Sequence, residues 1–409
     1  MNILVISQLY PQPDDTGGYK ITHTVEYFCK EWINEGHKIV VVHVPSKFPS
    51  FYYHAPSFIK NRLIKGTLRI IPSKESRKEI HYVADNGIRV HRLPLLKLFP
   101  GRAFSKAKLR KVSKRIETIL SNDGFVPDLV MGHFANPSTE LVANLSSYYH
   151  SKSSIVFHHD CNETNVKKYR LISNVAKIKA VGCRSEYEAK QIGPLLNRDL
   201  FICRSGVPSD AIKKAKNTCG KHDYSNGVKY LFVGGLLVAK NVDSVIKAFS
   251  LVKKEKDTLT IVGDGNEKEN LLSLVKELKL ENNVNFLGRV SREEVLNIMQ
   301  ESHIFAMISQ NETFGMVYIE AMLQGCLTIA SFNGGFDGII KDGENGFLCE
   351  QGNSEMLAEV FNKINKLSIK ERNDIAESAI KVGLQFSEKD VADRYLDEVL
   401  KRNEENNHA

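Results

Sequence analysis

The sequence predicts an α/β protein made of two doubly wound parallel sheets that face a central cleft. Short apolar runs of strand length alternate with stretches whose apolar residues recur at helical spacing, almost from end to end. These runs form two clusters, separated by a polar stretch from Arg204 to Gly227 with the composition of a linker. The chain has 409 residues, 42% of them hydrophobic, which is enough for two or three ordinary cores and excludes wholesale disorder.

In the first cluster the strand candidates are 2–7, 38–44, 88–93, 128–132, 154–158, 178–183 and 200–203. In the second they are 228–233, 258–262, 284–287, 304–308, 327–331 and 346–349. The domains expected are 1–207, 208–386 and a last segment, 387–409. In that segment Val391, Tyr395, Val399 and Leu400 mark a helix expected to cross back and pack on the first domain, before a frayed tail. No apolar run approaches the ~20 residues that span a bilayer. Met1 leads straight into Asn2–Ser7 without a basic leader, so neither a spanning nor a secreted chain is expected. Seven cysteines, odd in number and never in a C-x-x-C pair, fit a reduced, cytoplasmic compartment. With no H-E-x-x-H and no D-x-D, neither a protein-held metal nor a cofactor is expected.

Charge is uneven. The formal net charge is +8, yet residues 1–205 carry +14 and the remainder −6. The surplus lies between Lys60 and Arg115, where 17 basic residues meet only Glu75, Glu79 and Asp85. An anionic partner is implied. Within this stretch Leu109, Val112, Ile116, Ile119 and Leu120 recur at helical spacing among Lys106, Lys108, Arg110, Lys111, Lys114 and Arg115. Upstream, Phe48, Phe51, Tyr52, Tyr53 and Phe58 punctuate a loop. This pattern fits a peripheral contact with an anionic membrane surface, or a solvated helix whose stripe packs on its own core. No nucleic-acid module is recognisable, and no nucleic-acid partner is expected.

Parallel sheets of this kind offer ligand sites at the carboxyl ends of their strands. After the strand at 304–308 comes Glu312-Thr-Phe-Gly-Met-Val-Tyr-Ile-Glu320. A helix beginning near Thr313 would leave the amides of Phe314, Gly315 and Met316 free for phosphate oxygens. Glu320, about two turns beyond Glu312, would then suit a sugar diol. By spacing alone the two carboxylates read first as solvated helix residues, since charged helical side chains usually face water. Gly234-Gly235 with Lys240 suggests a phosphate cradle or a plain turn, and Gly17-Gly18 a close approach of the first helix to a ligand. Neither is a G-x-G-x-x-G fingerprint, which removes the main support for a dinucleotide redox enzyme. His133 and His158, the latter followed by His159 and Asp160, end two strands on one sheet edge. Each is a ligand contact or an incidental polar residue.

Together these segments resemble the retaining glycosyltransferases of family 4, with the two-domain GT-B fold of facing Rossmann-like domains. The E-x7-E element is Glu312 to Glu320 with its E-x-F-G opening. Supporting matches are Gly17-Gly18, Asp128-Leu-Val-Met-Gly-His133, His158-His-Asp160, Ser205-Gly-Val-Pro208, Gly263-Asp-Gly265, Phe286-Leu-Gly-Arg289 and Asp342-Gly-Glu-Asn-Gly-Phe-Leu348. The resemblance implies a nucleotide-sugar donor, of UDP or GDP type, in the C-terminal domain and a glycan or polyprenyl-diphosphate-linked acceptor in the N-terminal one. It places the ribose hydroxyls on Glu320, the distal phosphate on Phe314 to Met316, the donor-sugar hydroxyls on Glu312, and Thr313 in the same donor site. His133 would reach the sugar from the other domain, and His158 and Asp160 would meet the acceptor. Two departures stand out. Gly235 replaces the family's usual diphosphate-clamping Arg, leaving Lys240, with Arg289 or Arg204, to compensate; and Gly338 stands where the family commonly has Glu. The function expected is a metal-independent hexosyl transfer in surface polysaccharide assembly, at the inner face of the membrane. The alternatives are a non-catalytic nucleotide-sugar-binding subunit and a nucleotide-sugar epimerase.

Overall fold

The structure is a computed structural model and describes residues 1–11, 23–50, 78–84, 86–99, 101–216, 224–310 and 312–405. The chain divides into two compact units. One comprises Met1–Arg184, Ala189–Cys203 and Ala392–Ala409, the other Ser185–Glu188 and Arg204–Val391.

The strands of the first unit are β1 (Asn2–Ser7), β2 (Lys38–His43), β3 (Ser46–Lys47), β4 (Ile80–Val83), β5 (Arg89–Arg92), β6 (Leu95–Leu96), β7 (Leu129–His133), β8 (Lys152–Val156), β9 (Ala180–Cys183) and β10 (Phe201–Ile202). Eight form one sheet in the order β10-β9-β8-β7-β1-β2-β5-β4, while β3 and β6 pair in a ladder of their own. All its pairings are parallel except that of β4, which runs antiparallel to β5. Ile3 to Ile6 are fully buried, as expected of a central strand covered by helices on both faces. The helix Glu388–Glu405 closes one of these faces through residues from Ala392 onward. The Trp32 indole donates to the Ala392 carbonyl at 3.1 Å, Tyr395 meets Phe28 edge-on at 5.0 Å, and the Asn403 side chain takes the Ser153 amide at 2.9 Å.

The second unit contains β11 (Lys229–Val233), β12 (Thr258–Val262), β13 (Val284–Gly288), β14 (Ile304–Met307), β15 (Leu327–Ser331) and β16 (Phe347–Cys349). They form one parallel sheet in the order β13-β12-β11-β14-β15-β16. Both expected doubly wound sheets are therefore present, and each expected strand lies within two residues of its observed bounds. β4 and the β3–β6 ladder were not expected.

The basic helix forms at Lys106–Asn122, capped by the Ser105 hydroxyl. Its apolar stripe does not face a membrane. Leu109, Ile116, Ile119 and Leu120 pack into the unit's own core with Leu141, Val142 and Leu145, where burial takes their apolar area out of water. Arg110, Lys111 and Lys114 remain exposed. Phe48, expected at the same surface, is buried, and Phe51, Tyr52, Tyr53, Phe58 and Lys60 lie outside the described residues. Among the described residues no helix is long and apolar enough to cross a membrane.

Candidate functional site

In the second unit β11 and β14 are neighbours whose onward connections leave in opposite directions, so the sheet's switch point lies between them. Backbone contacts shape the two loops at that point. The loop after β11 is pinned by the Gly234 amide donating to Val262 at 2.9 Å and the Leu236 amide donating to Asp264 at 3.1 Å. Gly263, at φ +138°, comes so near that a Cβ there would stand 1.8 Å from the Gly234 carbonyl oxygen. This explains the Gly263-Asp-Gly265 pattern, since only glycine permits both the conformation and the approach. Asn241 then donates to the Ile308 carbonyl at 2.7 Å, and the Gln310 amide donates to Ala239 at 2.7 Å. Tied in this way, the loops bring the Lys240 ammonium onto the Glu312 carboxylate in a mostly buried ion pair.

The helix after β14 begins later than expected, at Met316 rather than near Thr313. Gly315 is its N-cap at φ +78°, and a Cβ there would strike the Tyr318 ring at 2.4 Å. Phe314 is an anchor in this turn, buried against Phe336 and Phe386. The amides of Phe314, Gly315, Met316 and Val317 have no hydrogen-bond partner among the described residues, and they sit at the positive end of the helix dipole. Gly315 also lies against Glu312, whose Cγ would be 3.1 Å from a Cβ at that position.

Glu320 is not a solvated helix carboxylate. It is 8% exposed, and its oxygen meets the Arg292 guanidinium at 2.6 Å, while Arg292 also reaches Asp210 at 3.3 Å. Burial pushes the Glu320 carboxyl up, and Arg292 opposes this. The sequence reading missed Arg292. It opens the helix Arg292–Glu301, and only the packing of that helix against the helix Met316–Leu323 brings it to Glu320. Arg289 is exposed and makes no ion pair among the described residues. Arg204 pairs with Glu186 at 3.0 Å. The Glu186 carboxyl fills the space beside Gly338, 2.5 Å from where a Cβ would stand, so a carboxylate from a distant segment occupies that position. Beside Gly235 the space is open, with nothing nearer than Leu237 at 3.7 Å.

In the first unit the switch point lies between β1 and β7. Gly17 and Gly18, on the connection after β1, lie outside the described residues. His133, expected to present itself to a ligand at the end of β7, turns inward instead and is 0% exposed. Phe28 stacks on it at 6.0 Å, and Tyr395 of the last helix meets its edge at 5.8 Å. Burial, with Arg184 nearby, pushes its pKa down to about 3, so the ring is neutral. Its Nδ1 lies 3.1 Å from His158 Nε2. His158 is half-buried and stacks on Phe134 at 4.2 Å. Burial and the positive charge of Arg184 push its pKa well down. Asp160 accepts the His158 amide at 3.0 Å and the Ala135 amide, stapling the loops after β7 and β8.

Residues 221–382 match the family model of glycosyl transferases group 1. The chain is 33% identical over 203 residues to the N-acetyl-alpha-D-glucosaminyl L-malate synthase of Bacillus anthracis, covering 49% of this chain and 53% of that one. It therefore spans about half the length of that relative. An uncharacterized glycosyltransferase of Methanocaldococcus jannaschii is 27% identical over 83% of this chain and 92% of its own. Among solved structures, Anabaena Alr3699/HepE in complex with UDP superposes with a TM-score of 0.67 at 18% identity, over 98% of this chain and all of that one. That likeness shows the fold, GT-B. The segment that matches this family model contains the Lys240–Glu312 pair, the amides of Phe314 to Val317 and Glu320.

Proposed function

We propose that the chain is a retaining glycosyltransferase that moves a hexose-type unit from a nucleotide sugar to a glycan or lipid-linked glycan in surface polysaccharide assembly. One observation carries this reading: a Lys–Glu pair stands at the switch point, and the turn and helix that follow it hold four amides without a partner among the described residues and a buried carboxylate. Glu320 takes the ribose hydroxyls, its orientation set by Arg292. The amides of Phe314 to Met316 receive the distal phosphate, and Thr313 lies in the same turn. As the bond to the diphosphate breaks, negative charge grows on the leaving oxygen, where Lys240 and the helix start receive it without a metal ion. Glu312, held by Lys240, grips donor-sugar hydroxyls and is not assigned as a nucleophile. The acceptor hydroxyl attacks the face that the diphosphate leaves and passes its proton to the departing phosphate. In the first unit His158 is the accessible member of its pair and is proposed to meet the acceptor, with His133 and Asp160 positioning it. The exposed Arg110, Lys111 and Lys114 support contact with an anionic membrane at the inner face.

The bare Gly235 favours one rival, a subunit that binds a nucleotide sugar without transferring it. A thermal-shift screen against UDP, GDP, dTDP and ADP sugars, followed by donor hydrolysis in metal-free buffer, separates the two. The UDP bound by the Anabaena protein makes UDP sugars the first to try. Stabilisation with slow release of the nucleotide is the expected outcome. Stabilisation with no release from any donor would establish the rival.

A further inference from the structure

We propose that the first unit holds a binding site for a phosphate or diphosphate group, built around Lys97 and Phe104 beyond the carboxyl end of β5. After β5 the chain enters the short β3–β6 ladder, where the Leu95 amide donates to Pro45 and the Lys97 amide to Lys47, each at 2.8 Å. The ladder sets Lys97 beside Lys47. Lys97 is 8% exposed, and its ammonium has neither a carboxylate nor a hydrogen-bond acceptor among the described residues. It lies 4.8 Å from the centroid of the Phe104 ring. Lys108, in the first turn of the helix Lys106–Asn122, puts its own ammonium 5.2 Å from the same ring while donating to the Leu96 carbonyl. Burial, with repulsion from Lys168 and Lys108, pushes Lys97 down to about 8, and Lys47 opposes the charge on Lys108 in the same way.

A settled core does not leave such an imbalance. Burying an ammonium without a counter-charge is unfavourable, and an aromatic ring offsets only part of that. Elsewhere the same unit balances its cations: Arg170 meets Glu140 at 2.6 Å and also holds the Phe104 carbonyl at 3.0 Å, which fixes the ring. Lys47, Lys97, Lys108 and Lys168, by contrast, form no ion pair among the described residues. Two amines at one anchored ring, with Lys168 near enough to repel Lys97 and Lys47 near enough to repel Lys108, suit a compact, multiply charged oxyanion, since ammonium groups bind phosphate as point charges. Two of them, Lys97 and Lys108, come from the stretch that carries the chain's basic surplus. Assigning this anion to the acceptor rests on the proposed function and makes that acceptor phosphorylated or diphosphate-linked. Binding of the anion does not depend on it.

The test is trace acetylation of the full-length protein, reading the rate at Lys97 by mass spectrometry with and without inorganic pyrophosphate at matched ionic strength. Slowing of fivefold or more at Lys97, with none at the exposed Lys401, is expected. In parallel, Lys97→Met should lose a calorimetric pyrophosphate-binding event that Lys240→Met keeps. Equal rates at Lys97, or an unchanged event in Lys97→Met, would overturn the site. Because the labelling uses the native chain, poor folding of the variant leaves the test intact. Vesicles of phosphatidylglycerol identify the source. Protection by both pyrophosphate and vesicles supports a lipid-borne group, and protection by pyrophosphate alone supports a soluble one. Protection by vesicles alone overturns the proposal, since it would make Lys97 part of a surface. If Lys97 is protected while no donor sugar turns over, the site stands and only its assignment to an acceptor falls.

Discussion

Glu320 and Gly235 show how much a single position can say. A carboxylate held at 8% exposure with its pKa pushed up is a net burden on the fold. Its unfolded counterpart ionises first, so folding stability falls as pH rises from the ordinary carboxylate value to the raised one, and the penalty then persists through neutrality. Glu320→Gln should therefore melt no lower than the parent at pH 7 while binding nucleotide about tenfold or more weakly, measured by melting and by titration calorimetry. A lower melting temperature with unchanged affinity would make the residue structural. At position 235 the backbone does not have a positive φ and the adjacent space is open, so a long side chain fits. Gly235→Arg should lower the donor KM about tenfold, since a charge-assisted contact is worth ~1.5–3 kcal/mol. Steady-state kinetics with the identified donor measures it.

At the scale of elements, strand-to-loop junctions decide the site. Gly263→Ala would place a methyl inside the Gly234 carbonyl and force an L-residue to φ +138°. A loss of ~1–3 kcal/mol in urea unfolding is expected, together with weaker donor binding, because the displaced loop carries Lys240. The strands were legible because runs such as Ile3 to Ile6 and Ile304 to Met307 are continuously apolar, and parallel buried strands must be. β4 escaped notice because Ile80-His-Tyr-Val83 is short, half-exposed and set in basic sequence. The helix start was misplaced by three residues because Thr-Phe-Gly-Met reads as a helical opening until the left-handed Gly315 is seen. Arg292 was invisible for another reason: nothing local marks a residue whose partner is supplied by the return of a helix. The E-x7-E spacing singled out Glu312 and Glu320, and the glycine loop Lys240, but Arg292 had no mark of its own.

For the molecule as a whole, acid sensitivity follows from buried neutral histidines. His43 and His133 both have their pKa pushed down to about 3 by burial, and His158 well down, so each is held neutral in the fold. The unfolded chain takes up their protons first, so stability falls as pH drops from about 6.5 toward 3. At pH 5 His43 and His133 each cost about 2 kcal/mol. Thermal unfolding at pH 7 and pH 5 should show a marked drop, and His43→Gln, if folded, should reduce it. The burial of His133 was hidden from the sequence because its cover, Tyr395, comes from the far end of the chain.

The same closing helix affects the protein's synthesis. Trp32, Phe28 and Ser153 are made early, yet Ala392, Tyr395 and Asn403, which cover or bond them, are made long after them. The sheet translated first thus stays open on one side until the helix Glu388–Glu405 has been made. A nascent chain stopped short of residue 392 would expose that aromatic patch to chaperones and proteases.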